Sequence, residues 1–248
     1  MDLSFKGNLL IMQISVIIPA FNEEKYIEDC LKILATNLPK EVIEIIVVDN
    51  ASTDQTSEIA KKFRKVRVVR EDEKGLTKAR QKGLLEAKGD LLAYVDADTQ
   101  ISTNWFDEIK KEFSEDNNVV CLSGPNYLLG VNHLNKVFVR LYWNLIAMPG
   151  YNITGHIVNG ANFVAKKEAL YKIGGFDTKI AFYGEDVDIG KRISKIGKMK
   201  FSKNLIVFSS ARRFQSEGFL RVGIKYVANY LSEVLLHKPI TKKYKDIR

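Results

Sequence analysis

Short runs of β-branched and aliphatic residues recur along the first half of the chain: Ile14 to Ile18, Ile45 to Val48, Val66 to Val69 and Leu91 to Val95. Their near-continuous apolar character marks strands buried on both faces, as in a parallel sheet. Amphipathic segments separate them. Ile27, Leu31, Leu34 and Leu38 repeat at spacings of four, three and four, and Leu76, Ala79, Gly83 and Leu84 repeat in much the same way. Strands alternating with helices read as βαβ units. The pattern predicts an α/β fold with a mostly parallel central sheet flanked by helices.

The second half is less regular. Val119 to Ser123, Asn162 to Ala165 and Leu205 to Phe208 look like strands, and Gly184 to Ile196 looks like a helix opened by Glu185, Asp186 and Asp188. A last helix is expected from about Glu217 to Leu236. No repeat or linker interrupts the chain, so residues 1–248 read as a single domain. Its parts are a first half over about 14–125, a second half over about 126–214, and a C-terminal helix with a basic tail over about 215–248.

Polar residues gather where the strands end. Pro19, Asn22 and Glu23 follow the first, Asp49, Asn50, Ser52, Thr53 and Asp54 the second, and Asp96, Asp98, Thr99 and Gln100 the fourth. In an open parallel sheet these carboxyl ends line one edge, where ligands bind. Helix capping accounts for a Thr53 or an Asp54. It does not account for acidic residues at three strand ends. Asp96 and Asp98, two residues apart at a strand end, suit one hard cation. Magnesium or manganese takes one or two carboxylates together with substrate phosphates, and neutralises charge on a departing diphosphate.

Composition narrows the choices. The chain has 248 residues, 46% of them hydrophobic, which is enough for a sizeable packed core. Cys30 and Cys121 form no CxxC pair, and with three histidines they argue against a zinc site and for a reducing compartment. No apolar run reaches the ~18 residues of a membrane span. The stretch up to Gln13 does not read as a leader, because Leu9 to Met12 is a short apolar run and Asp2 stands where positive charge is expected. A cytoplasmic location is expected. The net charge of +8 admits nucleic acid, a membrane surface or an anionic small substrate. The basic residues are dispersed and the strand-end loops acidic, so no nucleic-acid partner is expected.

Five ordered motifs carry a resemblance that covers roughly Ile14 to Phe214. Ser15-Val-Ile-Ile-Pro-Ala-Phe-Asn-Glu-Glu24 and Ile46-Val-Val-Asp-Asn-Ala-Ser-Thr-Asp54 resemble the first two strands and turns of family 2 glycosyltransferases. Lys74-Gly-Leu-Thr-Lys-Ala-Arg80, Gly89-Asp-Leu-Leu-Ala-Tyr-Val-Asp-Ala-Asp98, and the pair Gly174-Gly-Phe-Asp177 and Gly184-Glu-Asp-Val-Asp188 resemble the later blocks in order. The resemblance implies a GT-A, Rossmann-like fold with a C-terminal helical extension. It also implies an inverting, single-displacement transfer from a UDP- or GDP-sugar, dependent on Mn2+ or Mg2+.

Carried over by motif, Pro19, Ala20, Phe21, Asn22 and Glu23 would wrap the nucleoside. Asp49 would read the base edge, and Arg80 would lie beside base or phosphate. Asp96, Ala97 and Asp98 would meet ribose and metal. Gln100 is a further metal candidate, because polyprenyl-phosphate sugar synthases often show Asp-Ala-Asp-x-Gln. Asp186 would be the base that takes the proton of an acceptor hydroxyl. A cap is the plainer reading of Glu185 and Asp186, yet three carboxylates in four residues repel one another. Arg212-Arg213 resembles a stretch of a related subgroup, with Arg213 taken as the diphosphate ligand. The acceptor is expected to be a glycan or lipid-linked hydroxyl. Transfer to a lipid phosphate is the alternative that Gln100 suggests. A sugar nucleotidyltransferase is disfavoured by the lack of glycine after the first strand. No Gln-x-x-Arg-Trp motif is present, which argues for addition of one sugar at a time.

Two segments leave alternatives open. Asn126 to Gly155 holds Tyr127, Phe138, Tyr142, Trp143 and Tyr151 between glycines, as a lid over sugar and acceptor would. It reads equally as a helix packing Leu134, Phe138, Leu141 and Leu145 on the core. On the last helix, Leu220, Ile224, Val227, Leu231 and Val234 form a stripe. Core packing is the plain expectation for it. With Lys238, Lys242, Lys243, Lys245 and Arg248, the stripe would otherwise make peripheral contact with the cytoplasmic face of an anionic membrane.

Overall fold

The computed structural model describes residues 12–36, 38–156, 158–180 and 184–236. Residues 1–11 and the basic tail lie outside them. Among the described residues ten strands form two sheets. They are β1 (Ile14–Ala20), β2 (Val42–Asn50), β3 (Val66–Glu71), β4 (Leu91–Val95), β5 (Thr99–Ile101), β6 (Val119–Ser123), β7 (Asn126–Leu129), β8 (Asn162–Lys166), β9 (Lys198–Phe201) and β10 (Val207–Ser210). The large sheet runs β3-β2-β1-β4-β8-β6-β9 and the small one β5-β10-β7. Pairing is parallel from β3 through β4 and between β6 and β9, while β8 runs antiparallel to both its neighbours.

The helices are α1 (Ile27–Thr36), α2 (Thr56–Ala60), α3 (Leu76–Glu86), α4 (Trp105–Glu115), α5 (His133–Leu141), α6 (Met148–Thr154), α7 (Lys167–Lys172), α8 (Glu185–Ile193), α9 (Arg212–Glu217) and α10 (Phe219–Leu236). A wide turn of helix, Tyr142–Ala147, joins α5 to α6. Among the described residues no helix is long and apolar enough to cross a membrane.

Every residue of β1 and β4 is buried, as their unbroken apolar runs require. Alternate side chains feed opposite faces. Val16 and Ile18 pack with Leu31, Leu34 and Phe113, whereas Ile17, Ile46 and Val48 pack with Leu84 and Tyr94. Register then fixes the edge. Ala20 lies level with Asp49, Asp49 with Arg70, and Ile17 with Tyr94. The loops after β1, β2 and β4 therefore emerge side by side.

Three expectations shift. The helix expected from Glu217 is broken by Gly218, whose φ of 88° separates α9 from α10. The strand expected at Leu205 begins at Val207, because the Leu205 carbonyl is turned to accept from Asn162 Nδ2 at 2.6 Å. The stripe on the last helix does not pack on the core at Leu220 and Ile224, which are exposed; α10 buries Val222, Asn229 and Ser232 instead. The side chains of Leu231 and Val234 lie outside those described.

Asn162 secures the end of β4 from across the sheet, standing opposite Val95. Fully buried, it accepts from Trp105 Nε1 at 2.9 Å and donates to the Leu205 and Pro125 carbonyls. Asn162→Ala leaves these groups unpaired and is expected to cost about 2–4 kcal/mol of stability. Urea unfolding followed by tryptophan fluorescence measures this, and an unchanged midpoint contradicts it.

Candidate active site

The loops after β1 and β2 are zipped together. The Asn22 N–H donates to Ser52 Oγ at 3.0 Å, and Asn22 Oδ1 accepts from the Thr53 N–H at 2.8 Å. The Glu23 N–H donates to Thr56 Oγ1 at 2.8 Å, while its carbonyl accepts the first amides of α1. Asn22 holds φ at 53°, the left-handed region that asparagine tolerates. Ala20 is buried at the end of β1, and the Lys74 ammonium lies 3.9 Å above the Phe21 ring.

Asp49 is 3% exposed. Burial raises its pKa, but hydrogen bonds from Ser52, Ser57 and Arg70 outweigh that and hold the carboxyl below its ordinary value. Arg70 Nη1 stands 2.7 Å away on the neighbouring strand. Sequence reading missed Arg70; the signal was its level position beside Asp49 on adjacent parallel strands.

The chief feature beyond this edge is a cleft of about 1250 Å3. Pro19, Glu23, Arg80, Asp96, Ala97 and Asp98 line it from the strand ends, Glu185 and Asp186 from α8, and Arg212 and Arg213 from α9. Asp49 and Gln100 do not line it. Gln100 is taken into β5, level with Phe208 of β10.

Arg80 is 1% exposed and lies at the cleft wall. Its Nη1 donates to Glu185 Oε1 at 2.9 Å, and its Nη2 to the Gly160 carbonyl at 2.7 Å and to Asp96 Oδ1 at 3.4 Å. Gly160 permits this approach, since a Cβ there would lie 3.1 Å from both Arg80 Nη2 and Glu185 Oε1. Arg80 thus ties Asp96 to Glu185. The acidic cluster of α8 is also resolved. Glu185 turns to Arg80, Asp188 pairs with Arg192 across one helical turn, and Asp186 faces the cleft.

Arg212 reaches the Asp96–Asp98 pair. Its guanidinium grips both Glu23 oxygens, at 2.6 and 2.7 Å, and lies 3.2 Å from Asp98 Oδ2. It also stacks 4.8 Å over the Tyr26 ring. Burial alone lowers its pKa, but Glu23 and Asp98 raise it further, so the charge is permanent. Arg213 lines the cleft and pairs with Glu217 at 3.2 Å. Among the described residues no three His, Cys, Asp or Glu side chains form a ready-made metal cage. Asp96 and Asp98 fit a cation whose shell is completed by donor phosphates and water. Cys30 and Cys121 are both free and buried, and burial pushes the Cys121 thiol up to about 12.

The far wall is the segment from Asn126 to Gly155. Leu134, Phe138, Leu141 and Leu145 are all exposed, so core packing of that stripe is overturned. Phe138, Tyr142 and Trp143 line the cleft. Trp143 is fixed by Nε1 donating to the Asn126 carbonyl at 2.8 Å and by stacking on Phe201 at 5.6 Å.

A family model described as Glycosyl transferase family 2 matches residues 15–174, more than half of the chain. The chain belongs to glycosyl transferase family 2. Among curated members, the poly(ribitol-phosphate) beta-N-acetylglucosaminyltransferase TarS of Staphylococcus aureus is 40% identical over 97 residues, which is 37% of this chain and 17% of TarS. The cholesterol galactosyltransferase of Borreliella burgdorferi is 29% identical over 148 residues, 58% of this chain and 39% of that protein. The chain thus spans less than half the length of these curated family 2 relatives. Among solved structures, mannosyltransferase PcManGT from Pyrobaculum calidifontis, in complex with GDP-Man and Mn2+, matches with a TM-score of 0.70 at 19% identity, over 91% of this chain and 64% of that one. S. aureus TarS in complex with UDP-GlcNAc matches with a TM-score of 0.62 at 22% identity, over 80% and 58%. These likenesses show the fold, which is GT-A.

Glu185 generates a pH prediction. Burial and the adjacent Asp186 carboxylate push it up to about 8, outweighing Arg80, which lowers it. The folded state then holds a proton that the unfolded chain releases near the ordinary glutamate value. Stability from this group is complete below that value and is lost as pH rises through about 8. Glu185→Gln cannot ionise, so its melting temperature should fall less than the wild type's between about pH 5 and pH 9. Parallel melting curves across that range contradict the assignment.

Proposed function

We propose that this family 2 member transfers one sugar from a nucleoside diphosphate sugar, UDP- or GDP-linked, to a hydroxyl acceptor, with inversion and with Mn2+ or Mg2+. The observation that carries this is the meeting of Asp96, Asp98, Asp186 and Arg212 around one cleft. The donors named in the PcManGT and TarS structures support it. So does the lipid acceptor in the name of the Borreliella relative, for the lipid-linked version.

In this reading the zipped loops from Pro19 to Glu23 and around Asp49 hold the nucleoside. Asp49, kept ionised, accepts a hydrogen bond from a ring N–H. Asp98 and Asp96 hold the metal, which when bound supplies positive charge to the departing diphosphate. Arg212 is the permanent cation of the same corner, with a planar fork suited to phosphate oxygens. Arg213 lies one residue further along the wall. Asp186 takes the proton from the acceptor hydroxyl as its oxygen bonds to the anomeric carbon and the carbon–oxygen bond to the diphosphate breaks. Glu185, held by Arg80, positions the start of α8. The single domain, a cytoplasmic location and peripheral membrane contact belong to the same proposal.

Asp186→Asn is nearly isosteric and removes the base. Donor affinity by calorimetry should stay within about twofold while turnover falls about 10²–10⁴-fold. Turnover near the wild-type rate would remove Asp186 from this role.

A further inference from the structure

One end of the cleft is charged and the other is aliphatic. Phe138, Leu141 and Leu145 on the α5 side, and Leu220 and Ile224 on α10, line the same cavity as Asp186 and Arg212. These five side chains are 44–75% exposed. Exposed apolar side chains gathered on one concavity mark a ligand groove more often than an ordinary surface. A free glycan fits such a wall poorly, because most of it is aliphatic and offers few hydrogen-bond partners. A groove continuous with the reacting carboxylates receives part of the substrate.

Charge adds a second constraint. From Asn126 to His156 the chain holds Lys136 and Arg140 and no acidic residue, and from Gly218 to Ser232 it holds Arg221 and Lys225 and no acidic residue. Lys136, Arg140 and Arg221 are exposed. Lys136, Arg140 and Arg221 stand outside the lining of the groove itself, so the α5 segment and the α10 stretch before Glu233 set exposed cations beside an apolar wall, a pairing that complements a hydrocarbon attached to an anion.

We propose that the groove between α5 and α10 holds the hydrocarbon chain of an amphiphilic acceptor with a phosphate linker, which presents its sugar hydroxyl to Asp186. This rests on the acceptor-side reading of the cleft and narrows it to lipid-linked acceptors.

Trp143 provides the test. The chain has two tryptophans; Trp143 lines the cleft and Trp105 is fully buried. Brominated alkyl phosphates quench a tryptophan that they touch. Titration of the full chain should give saturable quenching, lost in Trp143→Phe. Affinity should rise about tenfold for every two added methylenes. Leu220→Ser combined with Ile224→Ser should weaken it by about tenfold. Alkyl maltosides of equal chain length should bind more weakly than the phosphates. Affinity independent of chain length, or unchanged in the double variant, overturns the proposal. Full competition by inorganic phosphate overturns it in favour of a free-phosphate site. Quenching only by brominated phospholipid vesicles overturns it in favour of a membrane-docking face. Binding of UDP- and GDP-sugars is measured separately on the same variants. Loss of donor binding with alkyl phosphate binding intact contradicts the transfer reading and leaves the groove standing.

Discussion

A buried guanidinium must be paired, and the site of this protein is arranged around one that is. Arg80 is removed from water and satisfied by Glu185, Asp96 and the Gly160 carbonyl. Removing its partners would leave the buried guanidinium uncompensated, at about 3–5 kcal/mol. The contact therefore fixes geometry as well as energy. Arg80 comes from α3, Asp96 from the end of β4 and Glu185 from the start of α8. One side chain holds the edge of the parallel sheet against the helix that carries Asp186, across a sequence separation of 105 residues.

A second guanidinium repeats the arrangement at the other corner. Arg212 spans Glu23 and Asp98, as Arg80 spans Glu185 and Asp96. The acidic motifs of the chain are thus held close together by two interleaved cations. In this order Asp96 and Asp98 stand close together with a guanidinium beside each. The paired arrangement also explains why the loops after β1 and β2 need so many mutual hydrogen bonds. They carry Glu23, whose carboxylate anchors Arg212.

The legibility of this arrangement varied with the range of the interaction. Strands β1, β2 and β4 were plain because burial on both faces writes a nearly unbroken apolar run, whereas β3, at the sheet edge, is at most half-buried and is interrupted by Arg67 and Arg70. The antiparallel sense of β8 was not, since an apolar run carries no direction. Strands β5, β7 and β9 have three or four residues each, too few for a period to emerge. Asp96, Asp98 and Asp186 were found through local motifs, and the structure brings them to one cleft. The surroundings of Arg80 and Arg212 were not, because their partners lie on distant elements and leave no spacing to detect. Periodicity revealed the stripes on α5 and α10 but not what they face, since a helix packing on a core and one lining a groove share the same spacing.

Asp96 and Asp98 are proposed to bind a nucleoside diphosphate sugar through a divalent cation. Calorimetry of UDP- and GDP-sugars tests it, with Mn2+ or with chelator, on the wild type and Asp98→Ala. The account predicts that one of the two nucleotide classes binds the wild type, that chelator weakens this binding by at least about tenfold, and that Asp98→Ala binds weakly with or without Mn2+. Equal affinity in Mn2+ and chelator, unaltered by Asp98→Ala, would contradict it.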